Sequence, residues 1–286
     1  MNTKTNFMNV TRSLRIGLVA AAAIFLSHSA TAMTPPVLLG TDSNFAILAG
    51  SGITFAGAVN STTITGDIGT FPTTSITGLG NVVLTGSSVN HAGDAVTQQA
   101  KNDLVTAYND AAGRSPTITY GPIFDLGGQT LTSGVYNDPT SFGLTGTLTL
   151  NGLGDPNAVF IFQTGTTLIT ASNSVVYLEN GAQACNVFWQ VGSSATLGTS
   201  SNFSGIILAA DSITLNTSAT VSGQLLARDY AATLDTNTVA ICVGCVVGGP
   251  SVPDSGSTLL LLGSGLAALL GFGSLLGYGR RYLVLV

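Results

Sequence analysis

Few residues of this 286-residue chain are of types that carry out chemistry, and their spacing limits what they can do. Cys242-Val-Gly-Cys245 has the C-x-x-C spacing of a redox pair or of half a zinc site, and Cys185 is the third cysteine. A structural zinc ion takes four Cys or His ligands, usually supplied as two such pairs. No second C-x-x-C exists, and His91 is the sole histidine between residues 33 and 250, so no metal is expected. No βαβ pattern surrounds the motif, which removes the redox setting too. The cysteines read instead as a structural staple, from Cys185 to Cys242 or Cys245, in an oxidising compartment. Polysaccharide hydrolysis needs paired carboxylates. The acids here stand singly, as Asp67, Asp125, Asp155, Glu179, Asp211 and Asp235, and only Asp211 and Asp229 fall a repeat apart. A Ser-His-Asp arrangement would have to use His91, at the start of a predicted helix, where a capping or solvated role is commoner. Neither an enzyme nor a cofactor is expected.

What, then, must these elements position? The two ends of the chain say where it works. Lys4, Arg12 and Arg15 precede an apolar run from Ile16 to Leu26 and then Ala30-Thr31-Ala32, the layout of a secretory signal peptide over residues 1–32. Its apolar core is well short of the ~20 residues that cross a bilayer. At the other end, residues 251–286 hold Val252-Pro253-Asp254-Ser255-Gly256, an uncharged run over residues 258–278, and Arg280-Arg281. The run is long enough to span a membrane, and the Arg pair would keep its end in the cytoplasm. A short Pro-containing motif, one apolar helix and a basic cluster together resemble the PEP-CTERM type of sorting tail. That resemblance implies an exosortase-type enzyme as partner, inner-membrane anchoring before processing, and then display on the cell surface or in its matrix.

Residues 33–250 form the expected domain. They carry three basic residues (Lys101, Arg114, Arg228) against twelve acidic ones. Nucleic acid is thereby excluded as a partner, since no basic patch can displace phosphate counterions. Charged residues make up only 7% of the chain, against about 25% in ordinary domains. Small hydroxyl and amide side chains replace them, which suits an extended contact surface better than a cleft.

The second half repeats. Thr196-Leu197-Gly198-Thr199, Thr214-Leu215-Asn216-Thr217 and Thr233-Leu234-Asp235-Thr236 recur at steps of 18 and 19 residues. Phe203-Ser204-Gly205 and Val221-Ser222-Gly223 keep the same phase, as do Ile206–Ala209 and Gln224–Ala227. Repeats of this length with Gly and Asn at the corners predict coils of a β-solenoid, whose core comes from stacking. Weaker coils are predicted at Asn44–Ile53, Thr62–Ile68, Ser75–Leu84 and Gln129–Tyr136. One helix is predicted over residues 93–112, with Ala95/Val96, Ala100, Leu104 and Ala107/Tyr108 on one stripe and Gly113 closing it as a C′ residue. A single stripe should lay this helix along one face and leave the others open.

Leu39-Gly40-Thr41, Asn44-Phe45-Ala46-Ile47-Leu48-Ala49, Ile64-Thr65-Gly66-Asp67-Ile68-Gly69, Gly154–Gln163 and Asn180–Thr199 occur in an order that resembles the microbial ice-binding (antifreeze) family. The resemblance covers nearly all of residues 38–240. It implies a mainly β fold, a discontinuous β-solenoid of triangular section with one long helix alongside, and an ice crystal surface as partner. Members often carry a T-A/G-x-T/N pattern on the strand after the apolar slot. By that pattern the implied ice-binding face holds Ser51, Thr54, Thr166, Ser193, Thr196, Asp211, Thr214, Tyr230 and Thr233. Asp211 and Tyr230 depart from it, and an ionised group keeps its own hydration shell. The alternative function is a surface adhesin or matrix scaffold of the same fold without ice activity.

Overall fold

The computed structural model describes residues 34–242. The expected signal peptide, sorting motif, apolar run and Cys245 lie outside the described residues. Among the described residues no helix is long and apolar enough to cross a membrane.

The strands stack in parallel as coils of a three-faced solenoid, and the stacking order is not the chain order. Eight strands form one face in the order Ile76–Thr77, Gly52–Ala56, Ala231–Asp235, Ile213–Leu215, Ala195–Leu197, Leu168–Thr170, Phe142–Leu144 and Phe124–Asp125. The N-terminal coils therefore sit directly on the last C-terminal coil. The same join appears on the other faces, where Phe45–Ala49 pairs with Thr220–Ala227 and Thr62–Thr65 with Thr238–Ala240. This break in chain order makes the solenoid discontinuous.

The remaining 14 strands form one sheet bent over two faces. Asn202–Ala209 and Thr220–Ala227 run through that bend as single strands of 8 residues. At its corner stand Gly205 and Gly223, at φ 122° and 153°, and a Cβ on Gly223 would lie 1.8 Å from the Gly205 carbonyl oxygen. No side chain fits, which explains the recurring Ser-Gly pair. A second corner is turned by single left-handed residues, Asn173, Ser200, Ser218 and Thr236, at φ between 56° and 62°.

Inward side chains fill the core, with an aromatic ladder down one side. Trp189 stacks on Phe162 with ring centroids 4.0 Å apart, and Phe162 on Tyr136 at 5.3 Å. The ladder ends with Tyr120 stacked on Phe124 at 4.0 Å.

The helix spans Ala95–Gly113 and is capped by Asp94, whose carboxylate accepts from the Thr97 N–H at 2.8 Å. It buries Ala100, Leu104, Ala107, Tyr108 and Ala111 against Phe45, Leu48, Ile161, Phe188, Ile206, Leu208 and Leu226. Strands of this first face are thus covered on both sides. That is why Phe45–Ala49 reads as an unbroken apolar run and Val187–Val191 is buried throughout, Gln190 included, without alternation. Two details differ from the sequence expectation. Val96 is exposed and the buried stripe begins at Thr97, because capping by Asp94 starts the helix later. Gly113 is the last helical residue, not a left-handed C′ residue. The extended Arg114 follows it.

The helix ends on Gln163. The side-chain amide of Gln163 donates to the carbonyls of Ala111 at 2.8 Å, Ala112 at 3.3 Å and Arg114 at 2.8 Å. It thus supplies donors to carbonyls that the end of a helix leaves unpaired. One coil on, Gln190 donates to the Tyr108 hydroxyl at 2.8 Å. At the join, Gln224 donates to the carbonyls of Asp42 and Phe45, both at 2.6 Å.

Candidate functional site

The helix lies on the first face, which leaves two faces without it. The second, eight-stranded face has a simple register. Thr77 pairs with Thr54, Thr54 with Thr233, Thr233 with Thr214, and Thr214 with Thr196. Five threonines from successive coils stand in one row, at the strand spacing of about 4.8 Å, so the row runs roughly 19 Å. Their neighbours within each strand, such as Ile53, Leu234, Ile213 and Leu215, point into the core and are fully buried. Alternation therefore forces the threonines outward: Thr54 and Thr77 are exposed, Thr196, Thr214 and Thr233 half-buried.

Four of the threonines named from the sequence, Thr54, Thr196, Thr214 and Thr233, fall in this row. Thr77 also belongs to it, and Thr74-Ser75-Ile76-Thr77, with the same four-residue spacing, was the available signal. The row continues past Thr196 through Ile169, Gly143 and Asp125. Ile169 is 54% exposed, an apolar side chain on an open surface. At Asp125 burial opposes ionisation, but hydrogen bonds from the Gly127 and Thr145 backbone N–H groups and the Thr145 hydroxyl outweigh it and hold the carboxyl below its usual range.

The other five named residues, Ser51, Thr166, Ser193, Asp211 and Tyr230, sit just before the strands, at the corner with the first face. They line up there as a rim: the Ser193 N–H donates to the Thr166 carbonyl at 2.7 Å, Asp211 N–H to Ser193 at 2.8 Å and Ser51 N–H to Tyr230 at 3.2 Å. The Asp211 carboxylate accepts from the Ser193 hydroxyl at 2.8 Å. Next to Asp211, the Asp229 N–H donates to the Ala210 carbonyl at 3.0 Å. Ala209 pairs with Ala227, eighteen residues on, and Ile213 with Ala232, nineteen on, so one extra residue is absorbed at this corner. Arg228 closes it, paired with Asp229 at 2.8 Å and lying over the Tyr108 ring at 4.8 Å.

Between rim and threonine row runs a second outward row that the sequence reading missed: Gly52, Ala231, Ser212, Ser194, Thr167 and Ser141. Its signal was simple alternation two residues before each threonine. Its hydroxyls bond along the stack, with Ser141 Oγ 2.8 Å from Thr167 Oγ1 and the Ser212 N–H donating to Ser194 Oγ at 3.3 Å.

The third face also carries hydroxyls in register, Thr63, Thr238 and Thr220, followed by Asn202. It is interrupted by Tyr177, 54% exposed, and by Val83, 38% exposed. His91 sits elsewhere, between Asp67 at 3.3 Å and Asp94 at 2.7 Å beside the helix cap. Cys185 is disulfide-bonded and Cys242 is a free thiol, so of the two staples expected from the sequence Cys185–Cys242 is not formed.

Comparison with known proteins bears on the family and the fold. The profile of the family described as ice-binding-like matches residues 47–240, and that of the VPDSG-CTERM motif matches residues 251–272. An ice-binding protein of Nostoc sp. (strain HG1) is 44% identical over 259 residues, covering 90% of this chain and 94% of the relative. One from Flavobacterium frigoris (strain PS1) is 37% identical, covering 72% and 76%. The crystal structure of the ice-binding protein of the Antarctic ascomycete Antarctomyces psychrotrophicus superposes with a TM-score of 0.68 at 43% identity, over 72% of this chain and 98% of that one. A profile matched from the first core strand to the last, on a discontinuous solenoid shared with solved members, makes this chain a member of the ice-binding-like family.

Proposed function

We propose that the protein adsorbs to ice through its second face, around Thr77, Thr54, Thr233, Thr214 and Thr196. The observation that carries this reading is that one in-register row of five threonines, on a face the helix leaves open. Ice offers neither charge nor pocket, only a lattice of water oxygens. A rigid sheet with hydroxyls and methyls at fixed spacing can hold water in a matching arrangement. Its side chains and backbone are already ordered by the stack, so little entropy is lost on contact. Ser51, Thr166, Ser193, Asp211 and Tyr230 are the rim of this contact, not its centre.

Display at the cell surface fits the tail: the VPDSG-CTERM match over residues 251–272 supports a sorting signal that directs export and processing. An exosortase-type enzyme reading Val252–Gly256, and membrane retention through residues 258–278 until then, complete the proposal. A scaffold or adhesin without ice activity is favoured by the acidic residues on this face, Asp125 three coils past Thr196 along the row and Asp211 on its rim. Growing a single ice crystal in the purified domain decides between the two. Shaped facets and a freezing hysteresis support adsorption, and unshaped growth at saturating protein rules it out.

A further inference from the structure

The five-threonine row crosses the join between the N-terminal coils and the last coil, where Thr54 meets Thr233. That meeting needs a change of register. On the first face Leu48 pairs with Leu226, a step of 226 − 48 = 178, and on the second Gly52 pairs with Ala231, a step of 231 − 52 = 179. Residues 49–51 therefore stand against residues 227–230, and the last coil bulges by one residue at the corner. Carried on without the bulge, the first-face step would set Thr54 against Ala232, whose side chain is fully buried in the core. Strand side chains alternate, so that slip would turn one side of the join over and cut the row between Thr54 and Thr233.

One side chain reaches the bulge from the helix. The Lys101 ammonium donates to the Ala227 carbonyl at 2.8 Å and to the Arg228 carbonyl. Apart from Lys4 it is the chain's only lysine. Arg114 and Arg228 pair with the carboxylates of Asp110 and Asp229, whereas Lys101 gives its hydrogens to the backbone. Burial pulls its pKa from 10.5 down to about 8, against the opposing pull of Asp229 and Asp42. At pH 7 it is therefore still an ammonium, with enough hydrogens for both carbonyls. From the N-terminal coil, the Gly50 and Ser51 N–H groups both donate to the Tyr230 carbonyl, at 2.9 and 3.2 Å. Only glycine fits at position 50, since a Cβ there would lie 2.4 Å from the Asp229 carbonyl oxygen. The bulge is thus held from the helix and from the neighbouring coil.

We propose that Lys101 is a positioning residue for ice contact: by pinning the bulge at residues 227–230, it sets the register that makes Thr77, Thr54, Thr233, Thr214 and Thr196 one continuous row. The inference rests on the second face being the ice face. The task belongs to this one side chain of the helix, and the helix end held by Gln163 has no part in it.

Lys101→Met keeps the apolar stem and removes the ammonium. Backbone amide exchange, followed by NMR on the folded protein in the cold, reads the join without any ice. Exchange at Gly50 and Ser51 should rise about tenfold, while Ser193, Ala195 and Asp211 in the coils beneath keep their wild-type rates, because a local opening exposes only its own amides. Freezing hysteresis at equal concentration should fall by about half or more, since fewer pre-ordered contacts remain in register. Unchanged exchange at Gly50 and Ser51, or exchange raised equally in all five, would overturn the proposal. Faster exchange at the join with wild-type hysteresis would overturn it too, where Thr214→Lys measured in parallel abolishes activity. If Thr214→Lys also keeps its activity, the ice-face reading has failed, and the proposal falls with it. Should Lys101→Met not fold, Lys101→Gln, polar but one atom shorter, takes its place with the same two readouts and the same outcomes.

Discussion

Replacing Gln163 by Leu should loosen the helix without touching the proposed ice face. The Gln163 amide reaches three carbonyls at the helix C-terminus, two of them at 2.8 Å. Its two hydrogens can satisfy two well. Each such bond is worth roughly 0.5–1.5 kcal/mol net, and a buried carbonyl left without a donor costs roughly 1–3 kcal/mol. Ala111 is fully buried, so its carbonyl meets that second condition. Leu fills a similar volume and restores no donor, and the loss should come to about 2–4 kcal/mol. For a domain of this size 1 kcal/mol moves Tm by about 2–4 °C, so the melting temperature should fall by roughly 5–15 °C. Thermal unfolding followed by circular dichroism at 220 nm (about the helix band) reads this, with urea unfolding as a second estimate of the change. Ice hysteresis near 0 °C should stay at the wild-type value, because the variant remains folded there. A loss under about 0.5 kcal/mol, the range of a neutral surface change, would refute this role of Gln163 at the helix end. A loss of hysteresis with little change in Tm would refute the separation of helix and ice face.

Three further outcomes follow from the structure. Asp42 is buried with neither carboxylate oxygen hydrogen-bonded, and burial, with Asp103 nearby, pushes its pKa up from 3.8 to about 8. The folded state therefore holds this proton more tightly than the unfolded one, so its contribution is complete below about pH 4 and declines as pH rises towards 8. Urea titrations at pH 5 and 8 should show lower stability at pH 8, and Asp42→Asn should flatten that difference; no change in the slope contradicts the assignment. Ile169→Thr extends the outward row by one coil, and stronger hysteresis at equal protein concentration is expected, with unchanged or weaker activity counting against the row. Deleting residues 252–286 should move the protein from the membrane fraction to the soluble one, and its retention in the membrane would show that the tail has been misread.

Much of this fold is legible in the sequence because each coil repeats the same constraints. Thr214-Leu215 and Thr233-Leu234 announce an outward and an inward residue, and Gly205 and Gly223 announce a corner where two backbones touch. The stacking order is not legible. Nothing local in Thr238–Ala240 says that it meets Thr62–Thr65, since pairing across the join depends on the helix returning the chain to the far end. For the same reason Thr77, which enters the row from a two-residue strand, could not be placed by counting repeats. The corner before the last coil breaks the repeat, because Ala209 pairs with Ala227, eighteen residues on, but Ile213 with Ala232, nineteen on. The role of Gln163 was hidden because its partners lie on the helix, some fifty positions away in the chain.

The central claim is that ice meets the second face, and a matched pair of lysine substitutions tests it most directly. Thr214 lies inside the five-threonine row, between Thr233 and Thr196, and Thr220, on the third face, is outward and exposed in the adjoining strand. Either change should cost no more than about 0.5 kcal/mol, as an outward surface substitution. Freezing hysteresis of the wild type, Thr214→Lys and Thr220→Lys is then measured at equal concentration with the melting temperature as a control for folding. The account predicts a large loss in Thr214→Lys alone. Undiminished activity in Thr214→Lys, or a loss confined to Thr220→Lys, would contradict it.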